Sequence, residues 1–473
     1  MTGPANPDPK SAIRNPQSAM RWPLSEAAAR VGARVVDADA VFTSVGTDSR
    51  RDCAGQLFVA LRGERFDGHD FVAQAAANGA VAALVDHPVE APISQWVVDD
   101  TRLALGRLAA AWRDDFAGRV VAITGSNGKT TCKEMVAAVL AEAGRVRATR
   151  GNLNNDIGMP LTLLAARDED YLVLEMGANH LGEIGYLTDI ARPEVALITN
   201  AGRAHLEGFG SLEGVARAKG EIARGVPPDG TLIVPSDSPY TPLWRALAGG
   251  RRLLTCGPDA DASLRADAHA ITTTWGEEGF RTRFTLVAGG ESLGLALPLA
   301  GAHNVRNALM AAAVAQALGV GPEAVRSGLA GLKPVPGRLC PRQGLGGVRV
   351  IDDSYNANPD SLLAAIAVLT ALPGRHWLVL GDLGELGPEA ARLHREMGDA
   401  ARAAGVNSLY AVGELSAAAV AGFGDGARHF ADQGRLIEAL RAELAAGDLV
   451  LVKGSRLAAM DRVVDALCNQ GGA

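Results

Sequence analysis

A glycine-rich segment, TGSNGKTT at residues 124–131, carries the residue types that bind nucleotide phosphates. It follows the apolar run RVVAI, which predicts a strand, a turn and a helix whose first backbone N–H groups face an anion. Lys129 would reach the outer phosphates of ATP, and the Thr130 hydroxyl would bind Mg²⁺. Because Ile123 stands where the full P-loop has its first glycine, only the shorter pattern G-x-x-G-K-T is present. We favour an ATP site over a plain turn with a surface lysine.

Three further residues could lie beside such phosphates. Glu175 ends the apolar run YLVLE, and a carboxylate at the C-terminal edge of a parallel sheet can hold Mg²⁺. His205 follows the run EVALIT, and Lys219 lies at the start of a helical segment. Each has an ordinary alternative: an exposed strand-end glutamate, a structural histidine and a solvated lysine. None of the three predicts a metal site when taken alone.

The elements that must position these residues indicate an α/β protein. The chain has 473 residues, which suggests about three domains at roughly 150 residues each. Residues 1–19 have no periodicity and are rich in Pro, Asn, Ser and Ala, so we expect a disordered tail. We place an N-terminal domain at 20–103, a central domain at 104–332 and a C-terminal domain at 333–473.

Each domain has its own pattern. Short helices and strands alternate in the first, and YLVLEMG and EVALIT, separated by helical segments, predict a helix-covered parallel sheet in the second. Alternating strands with turn glycines between about residues 263 and 299 predict an antiparallel appendage. KPVPGR reads as a linker. The runs VRVIDD, HWLVLGD, SLYAVG, ARHF and DLVLVKG, again alternating with helices, predict a Rossmann-like α/β domain after it.

Composition excludes several classes of protein. A net charge of -7 argues against a nucleic-acid partner, because binding a polyanion requires a basic face. The five cysteines are far apart and lack metal-ligand spacing, which favours reduced thiols in a cytoplasm. No apolar run reaches the roughly 18 residues of a membrane helix, and the first residues lack the apolar core of a secretory signal.

Many motifs, in order and over nearly the whole chain beyond Met20, resemble the Mur ligases of peptidoglycan synthesis. Besides the glycine loop they are GNLNNDIG, EMGANHLGEI, AHLEGFGS, AKGEI, HNVRNALMA, PGR, DDSYNANPDS, LGDLGELG and KGSR. Within the family, several of them are typical of the branch that adds D-alanyl-D-alanine to UDP-N-acetylmuramoyl-tripeptide. Other branches carry a histidine where this chain has Asn356.

The resemblance implies a role for each candidate residue. The phosphates of ATP would be bound by Gly125, Ser126, Asn127, Gly128, Lys129, Thr130 and Thr131. The adenosine side would be bound by Asn304, Asn307, Arg338 and Asp353. Mg²⁺ would be bound by Thr130, Glu175, His205 and, if it is carbamylated, Lys219. The catalytic residues would be Lys129, Glu175, His205 and Lys219.

The resemblance also implies substrate sites. The UDP-sugar would bind to the N-terminal domain through LFVALRGERFDGHDF and TDSR, which includes Ser49 and Arg50. The muramoyl-peptide would face Asn152, Asn154 and Asn155. The incoming amine would be positioned by Tyr355, Asn356, Asn358, Lys453 and Ser455. The family favours a monomer.

The implied chemistry is activation of a peptide carboxylate as an acyl phosphate, followed by attack of the D-alanyl-D-alanine amine. Closure of the C-terminal domain about KPVPGR would keep water out. Arg203 departs from the family pattern, and we expect it either to face solvent or to weaken metal binding at His205 by like-charge repulsion.

Other readings stay open at this point. Another Mur ligase or a folylpolyglutamate synthase would use the same ATP site, although DSR and FDGHDF argue against the folate enzyme. A nucleotide-binding switch would bind ATP without making a bond. The third residue of the acceptor peptide, diaminopimelate or lysine, is not specified by any motif.

Overall fold

The computed structural model describes residues 20–36 and 39–469. The expected tail at residues 1–19 lies outside the described residues. The chain forms two compact units. The first comprises the described residues up to Gly118 together with Pro160–Glu169, and the second comprises Arg119–Met159 and the described residues from Asp170 onward.

The first unit contains a five-stranded sheet in the order β2-β7-β6-β5-β4, in which β2 is antiparallel and the others are parallel. Helix α3 begins after Asp100, whose side chain accepts hydrogen bonds from the backbone N–H groups of Arg102 and Leu103. This helix crosses the boundary that we place after residue 103. The elements are β1 (Trp22–Pro23), α1 (Leu24–Val31), β2 (Arg34–Val36), β3 (Val41–Phe42), β4 (Ser44–Gly46), β5 (Gln56–Val59), α2 (Val72–Ala77), β6 (Ala82–Val85), β7 (Ser94–Val97) and α3 (Thr101–Asp115).

The second unit begins with a ten-stranded sheet. Its strands are β8 (Arg119–Thr124), β9 (Val146–Ala148), β10 (Tyr171–Glu175), β11 (Val195–Ile198), β12 (Thr231–Pro235), β13 (Arg252–Gly257), β14 (Leu264–Ala266), β15 (Thr272–Gly276), β16 (Gly279–Ala288) and β17 (Glu291–Leu297). Strands β8 to β14 run parallel in the order β9-β10-β8-β11-β12-β13-β14, whereas β15, β16 and β17 pair antiparallel. The predicted antiparallel appendage is therefore confirmed.

Helices cover this sheet and complete its core. They are α4 (Lys129–Ala141), α5 (Gly158–Leu164), α6 (Glu183–Ala191), α7 (Leu206–Phe209), α8 (Leu212–Gly220), α9 (Thr241–Ala248), α10 (Ala302–Leu318) and α11 (Pro322–Ala330). The strand residues Val121 and Val173 and the helix residues Val136 and Leu309 are buried in one apolar cluster. Continuous apolar runs such as VVAI fit this arrangement, since both faces of a parallel sheet are covered.

The C-terminal part of the second unit has its own six-stranded sheet in the order β18-β19-β23-β20-β21-β22, antiparallel only at β18. Apolar clusters lie on both of its faces. The elements are β18 (Cys340–Gln343), β19 (Arg349–Asp353), α12 (Pro359–Thr370), β20 (His376–Gly381), α13 (Ala390–Ala403), β21 (Ser408–Val412), α14 (Ser416–Phe423), β22 (Ala427–Phe430), α15 (Gln433–Glu443), β23 (Leu449–Lys453) and α16 (Asp461–Cys468). The α/β fold class predicted from the sequence is confirmed.

The topology explains how distant motifs meet. Strands β10 and β11 lie on either side of β8, with Glu175 beside Ile123 and Ile198 beside Thr124. The carboxyl ends of parallel strands share one edge of a sheet, so the loops that follow these three strands converge there.

Two general expectations concern membrane helices and cysteines. In the described part of the chain, no helix is long and apolar enough to cross a bilayer. All five cysteines lie within that part, and none forms a disulfide.

Candidate active site

The loops after β8, β10 and β11 form one wall of a cavity of about 660 Å³, and the C-terminal sheet supplies another. Most of the predicted residues of the second unit line it: Ser126, Asn127, Gly128, Lys129, Thr130, Thr131, Asn152, Asn154, Asn155, Glu175, His205, Asn304, Asn307, Arg338, Asp353, Tyr355, Asn356, Asn358 and Lys453. The structure thus brings together motifs that are more than three hundred residues apart in the sequence.

The glycine loop has a shape that other residues cannot adopt. Gly125 has φ 144°, and a Cβ atom there would lie 1.9 Å from the Oγ1 atom of Thr199. Gly128 has φ 79° and immediately precedes helix α4. Only glycine permits this backbone and this close approach, so the loop leaves the helix N-terminus open toward the cavity, as an anion site requires.

Lys129 closes over the loop. Its Nζ atom donates hydrogen bonds to the carbonyl oxygens of Gly125 at 2.8 Å and Ser126 at 3.4 Å. Burial lowers the pKa of the Lys129 ammonium, Glu175 opposes that shift and Arg338 adds to it. A bound phosphate would supply the negative charge that stabilises this ammonium.

Thr199 and Asn200, to which no motif gave a role, hold the loop from behind. Thr199 Oγ1 donates to the carbonyl of Asn127 at 2.6 Å, and Asn200 Oδ1 accepts from the Asn127 backbone N–H at 2.9 Å. Their signal in the sequence was their position directly after the run EVALI, because strand ends face the same edge.

Glu175 lies at the end of β10 and is 2% exposed. Its Oε1 atom accepts a hydrogen bond from Asn154 Nδ2 at 2.8 Å. Its Oε2 atom is buried without a hydrogen-bond partner among the described residues. A buried carboxylate oxygen is costly to leave unpaired, and a cation in the cavity would satisfy it. The oxygen donors of Glu175 and Thr130 fit Mg²⁺, which prefers oxygen ligands.

Lys219 lies near the end of α8 and not, as we expect from the sequence, at the start of a helical segment. It is buried, with its Nζ atom 3.4 Å from the Ala178 carbonyl and 4.9 Å from the centre of the Phe209 ring. Ala178 lines the cavity. Burial lowers the pKa of Lys219 to about 7, with a further contribution from Lys129. Burial therefore favours the uncharged, nucleophilic amine near neutral pH, in contrast to the solvated lysine that was its alternative.

His205 lies at the cavity wall, where its Nδ1 atom is 2.7 Å from the Oε2 atom of Glu385. The contact joins the loop after β11 to the loop after β20. Glu385 belongs to the motif LGDLGELG, but no sequence pattern assigns it a role.

Arg203 neither faces open solvent nor stands free beside His205. Its guanidinium binds Asp360 through Nε at 2.8 Å and Nη2 at 2.7 Å, and its side chain is 25% exposed. Both alternatives expected from the sequence are therefore inadequate descriptions, since a carboxylate neutralises this cation.

The residues predicted on the adenosine side form two groups. Asn304 and Asn307 lie in the first turns of α10 and hydrogen-bond to each other at 3.3 Å. The Arg338 guanidinium stacks 4.4 Å from the centre of the Tyr355 ring. Asp353 is buried, and burial raises the pKa of its carboxyl group while Lys453 opposes the shift.

The residues predicted to position the amine make different kinds of contact. Lys453 is 2% exposed, and its Nζ atom donates to Asp353 and, at 3.0 Å, to the Asn356 carbonyl. Its charge thus holds the loop after β19 in place. Asn358 caps α12 and exchanges amide hydrogen bonds with Asn127 at 2.7 and 3.3 Å. The Ser455 backbone N–H donates to the Asp382 carbonyl at 2.8 Å.

The asparagines of the loop GNLNND have different contacts. Asn154 reaches Glu175, whereas Asn155 Oδ1 accepts from the Gly158 backbone N–H at 2.9 Å at the start of α5. Asn152 is exposed. Asn154 therefore supports the carboxylate, and Asn152 is open to a ligand.

Ser49 and Arg50 lie in the first unit. Ser49 is buried and its hydroxyl donates to Gln74 Oε1 at 3.1 Å. The exposed Arg50 pairs with Asp48 at 2.8 Å and lowers the pKa of that carboxyl group to about 2. Both residues thus lie in one turn, in which the charges of Arg50 and Asp48 compensate each other.

Sequence profiles of three domains match the chain in the expected order. They are the catalytic domain of the Mur ligase family at residues 41–113, the Mur ligase middle domain at 123–315 and the Mur ligase glutamate ligase domain at 337–456. The UDP-N-acetylmuramoyl-tripeptide–D-alanyl-D-alanine ligase of Escherichia coli K12 is 47% identical over 92% of this chain and 95% of its own length. The chain belongs to the Mur ligase family.

Solved Mur ligase structures agree with this assignment. A crystal structure of MurF from Acinetobacter baumannii has a TM-score of 0.89 and 38% identity, and the match covers 95% of this chain and 99% of that one. MurF from Thermotoga maritima in complex with ADP has a TM-score of 0.80 and 30% identity over 89% of this chain and 96% of that one. The resemblance expected from the motifs is confirmed, and this Mur ligase is an ATP-dependent, ADP-forming enzyme.

Proposed function

We propose that this Mur ligase joins D-alanyl-D-alanine to UDP-N-acetylmuramoyl-tripeptide and converts ATP to ADP and phosphate. The observation that carries the proposal is a 47% identity, extending through all three domains, to an enzyme named for that reaction. The cavity supports it, because the phosphate loop and polar residues of the C-terminal domain line the same space.

The first step would need two anions to approach each other. The acceptor carboxylate attacks the γ-phosphate, an acyl phosphate forms, and ADP leaves with the bridging oxygen. Lys129, already directed at the phosphate loop, would neutralise part of the phosphate charge. Mg²⁺, when bound by Thr130, Glu175 and His205, would supply further charge neutralisation and orient the phosphates.

The second step would form the amide bond. The free amine of D-alanyl-D-alanine attacks the activated carbonyl carbon, and the tetrahedral intermediate collapses with loss of inorganic phosphate and a proton. Tyr355 and Asn356 line the same cavity as the phosphate loop, and Asn358 hydrogen-bonds to Asn127 of that loop. The loop after β19 would therefore position the incoming amine. Water must be kept out, because it would hydrolyse the acyl phosphate.

Lys219 would act as a carbamate. Its uncharged amine, favoured by a pKa of about 7, adds to the carbon of CO₂ and releases one proton, which converts a cation into a carboxylate-like anion. That anion would then support the cation site from beside Ala178, which lines the cavity.

The remaining partners are also proposals. Ser49 and Arg50 would contact the UDP-sugar from the first unit, and Asn152 would face the muramoyl-peptide. The enzyme would act as a monomer in the cytoplasm, where its nucleotide-linked substrates are made. Size-exclusion chromatography with light scattering measures the oligomeric state.

The test is phosphate release from ATP with the acceptor tripeptide, with and without D-alanyl-D-alanine. D-Glutamate, diaminopimelate and lysine serve as rival amines with their own shorter acceptors. Turnover that requires D-alanyl-D-alanine and yields a UDP-pentapeptide supports the proposal, and running diaminopimelate and lysine tripeptides in parallel identifies the third residue. Turnover with a rival amine alone would assign a different ligation step, and nucleotide binding without turnover would indicate a switch.

A further inference from the structure

The contact between His205 and Glu385 joins two unusual backbone positions. His205 has φ 53° and Glu385 has φ 59°, and both residues line the cavity. Residues other than glycine seldom adopt this left-handed conformation, and the strain is retained mainly where a site needs it. These two residues face each other at 2.7 Å, so both loops take up a less favourable backbone at the point where they meet.

The loop that carries Glu385 is fixed on both sides. The Asp382 side chain accepts from the Ser416 backbone N–H at 2.8 Å, and its carbonyl accepts from the Ser455 N–H at 2.8 Å. The next backbone N–H, that of Leu383, donates to Nε2 of the buried His394 at 2.9 Å. Glu385 is therefore presented to His205 by the backbone of the C-terminal sheet.

The contact determines which ring nitrogen of His205 is available to bind a metal ion. A carboxylate at Nδ1 holds the proton there and leaves the lone pair of Nε2 for a ligand. Metal-binding histidines commonly donate their second ring nitrogen to a carboxylate, which fixes both the tautomer and the orientation of the ring.

We propose that Glu385 is a positioning residue that orients His205 so that Nε2 faces the divalent cation of the ATP site. This rests on the proposed function, in which His205 is a metal ligand. Because Glu385 belongs to the C-terminal domain and His205 to the central domain, the metal-binding histidine would be correctly set only when the two domains are in contact.

An ordinary surface ion pair is the alternative. The Glu385 side chain is 58% exposed, and exposed pairs contribute little to stability. The two explanations differ in what removal of the carboxylate changes: a surface pair affects neither metal binding nor stability, whereas a positioning residue affects metal binding alone.

The experiment measures Mn²⁺ binding to the full chain in the presence of ADP by the loss of the free-ion electron paramagnetic resonance signal. The variants are Glu385→Gln, His205→Gly and the double variant, with Glu389→Gln as the control. Glycine is chosen because it tolerates the backbone of residue 205. Glu389 is an exposed glutamate that pairs with Arg392 and does not line the cavity.

We expect Glu385→Gln to weaken Mn²⁺ binding by about 10- to 100-fold, the usual effect of losing a carboxylate behind a histidine ligand. The melting temperature and the control variant should stay at wild-type values. In the His205→Gly background, Glu385→Gln should have no further effect, because its action passes through His205.

Wild-type affinity in Glu385→Gln would overturn the proposal, and so would equal weakening in both backgrounds, which would indicate a long-range charge effect. Pentapeptide synthesis by the wild-type enzyme is measured on the same preparations. If the wild type makes pentapeptide while Glu385→Gln binds Mn²⁺ normally, only the positioning role fails. If the wild type makes none, the proposed function fails.

Discussion

Arg203 holds Asp360 by its side chain and its backbone together. The guanidinium binds Asp360 Oδ1, and the Arg203 backbone N–H donates to Asp360 Oδ2 at 2.6 Å. Asp360 also lies in the first turn of α12, where a carboxylate is favoured by the helix dipole. The loop after β11 and the helix after β19 are thereby joined beside the cavity.

This pair predicts a specific kinetic defect. Arg203→Ala should lower kcat/KM for ATP by about tenfold, equivalent to ~1.4 kcal/mol, because the contact between the central and C-terminal domains weakens. Asp360→Asn should cause a similar loss. The measurement is steady-state kinetics with varied ATP, alongside the melting temperature.

Arg217→Ala is the matched control, since Arg217 forms an exposed ion pair with Glu213 within α8. It should leave kcat/KM unchanged. A wild-type value for Arg203→Ala would show that the ion pair does not support the ATP site.

The close approach of Gly125 to Thr199 predicts that Gly125→Ala abolishes the phosphate site. The new methyl group would lie 1.9 Å from Thr199 Oγ1, and moving Thr199 breaks its hydrogen bond to the Asn127 carbonyl. We expect the Kd for ADP to rise at least tenfold, or ~1.4 kcal/mol, and stability to fall by about 1–3 kcal/mol from overpacking. Isothermal titration calorimetry measures the former.

Gly294→Ala provides the comparison, because a Cβ atom at Gly294 in β17 would have no atom of the described residues within 4 Å. Its ADP affinity should equal that of the wild type. Normal binding by Gly125→Ala would mean that the loop can be rebuilt around a methyl group.

The uncharged state of Lys219 predicts dependence on CO₂. Lys219→Ala should reduce pentapeptide synthesis by at least about a hundredfold, or ~2.7 kcal/mol, and added formate or acetate should restore part of it by supplying the missing carboxylate. Wild-type activity in CO₂-depleted buffer should fall more steeply below pH 7, where the amine becomes protonated. Failure of both carboxylic acids to restore activity would count against a carbamate.

Strand ends explain why much of the candidate site was predictable. The apolar runs that become β8, β10 and β11 are enough to identify Gly125, Glu175 and His205 as neighbours at one sheet edge. This prediction needs only the glycine-loop motif and the rule that the carboxyl ends of parallel strands share one edge, because each of these residues follows its own strand in the sequence.

Contacts between domains were not predictable in the same way. Asp360 and Glu385 acquire partners only when the C-terminal sheet meets the central one, and no local pattern encodes that encounter. Lys453, to which the resemblance gives a role at the incoming amine, also forms a buried ion pair with Asp353 that no local pattern indicates. The segment Pro160–Glu169 belongs to the first unit, although the boundaries predicted from the sequence place it in the central domain at 104–332.

Burial of Lys219 also predicts how stability changes with pH. Its folded-state pKa is lowered from 10.5 to about 7, so between these values the unfolded chain binds more protons and the free energy of unfolding rises with pH. Below pH 7 the folded state carries a buried ammonium, and this unfavourable contribution is fully present. It is progressively relieved from pH 7 toward 10.5.

Replacing Lys219 with methionine removes the titration altogether. In CO₂-free buffer, denaturant unfolding should therefore show Lys219→Met exceeding the wild type in stability most at pH 6, with the difference shrinking by pH 9. A difference that is constant across this range would mean that Lys219 keeps its ordinary pKa when folded.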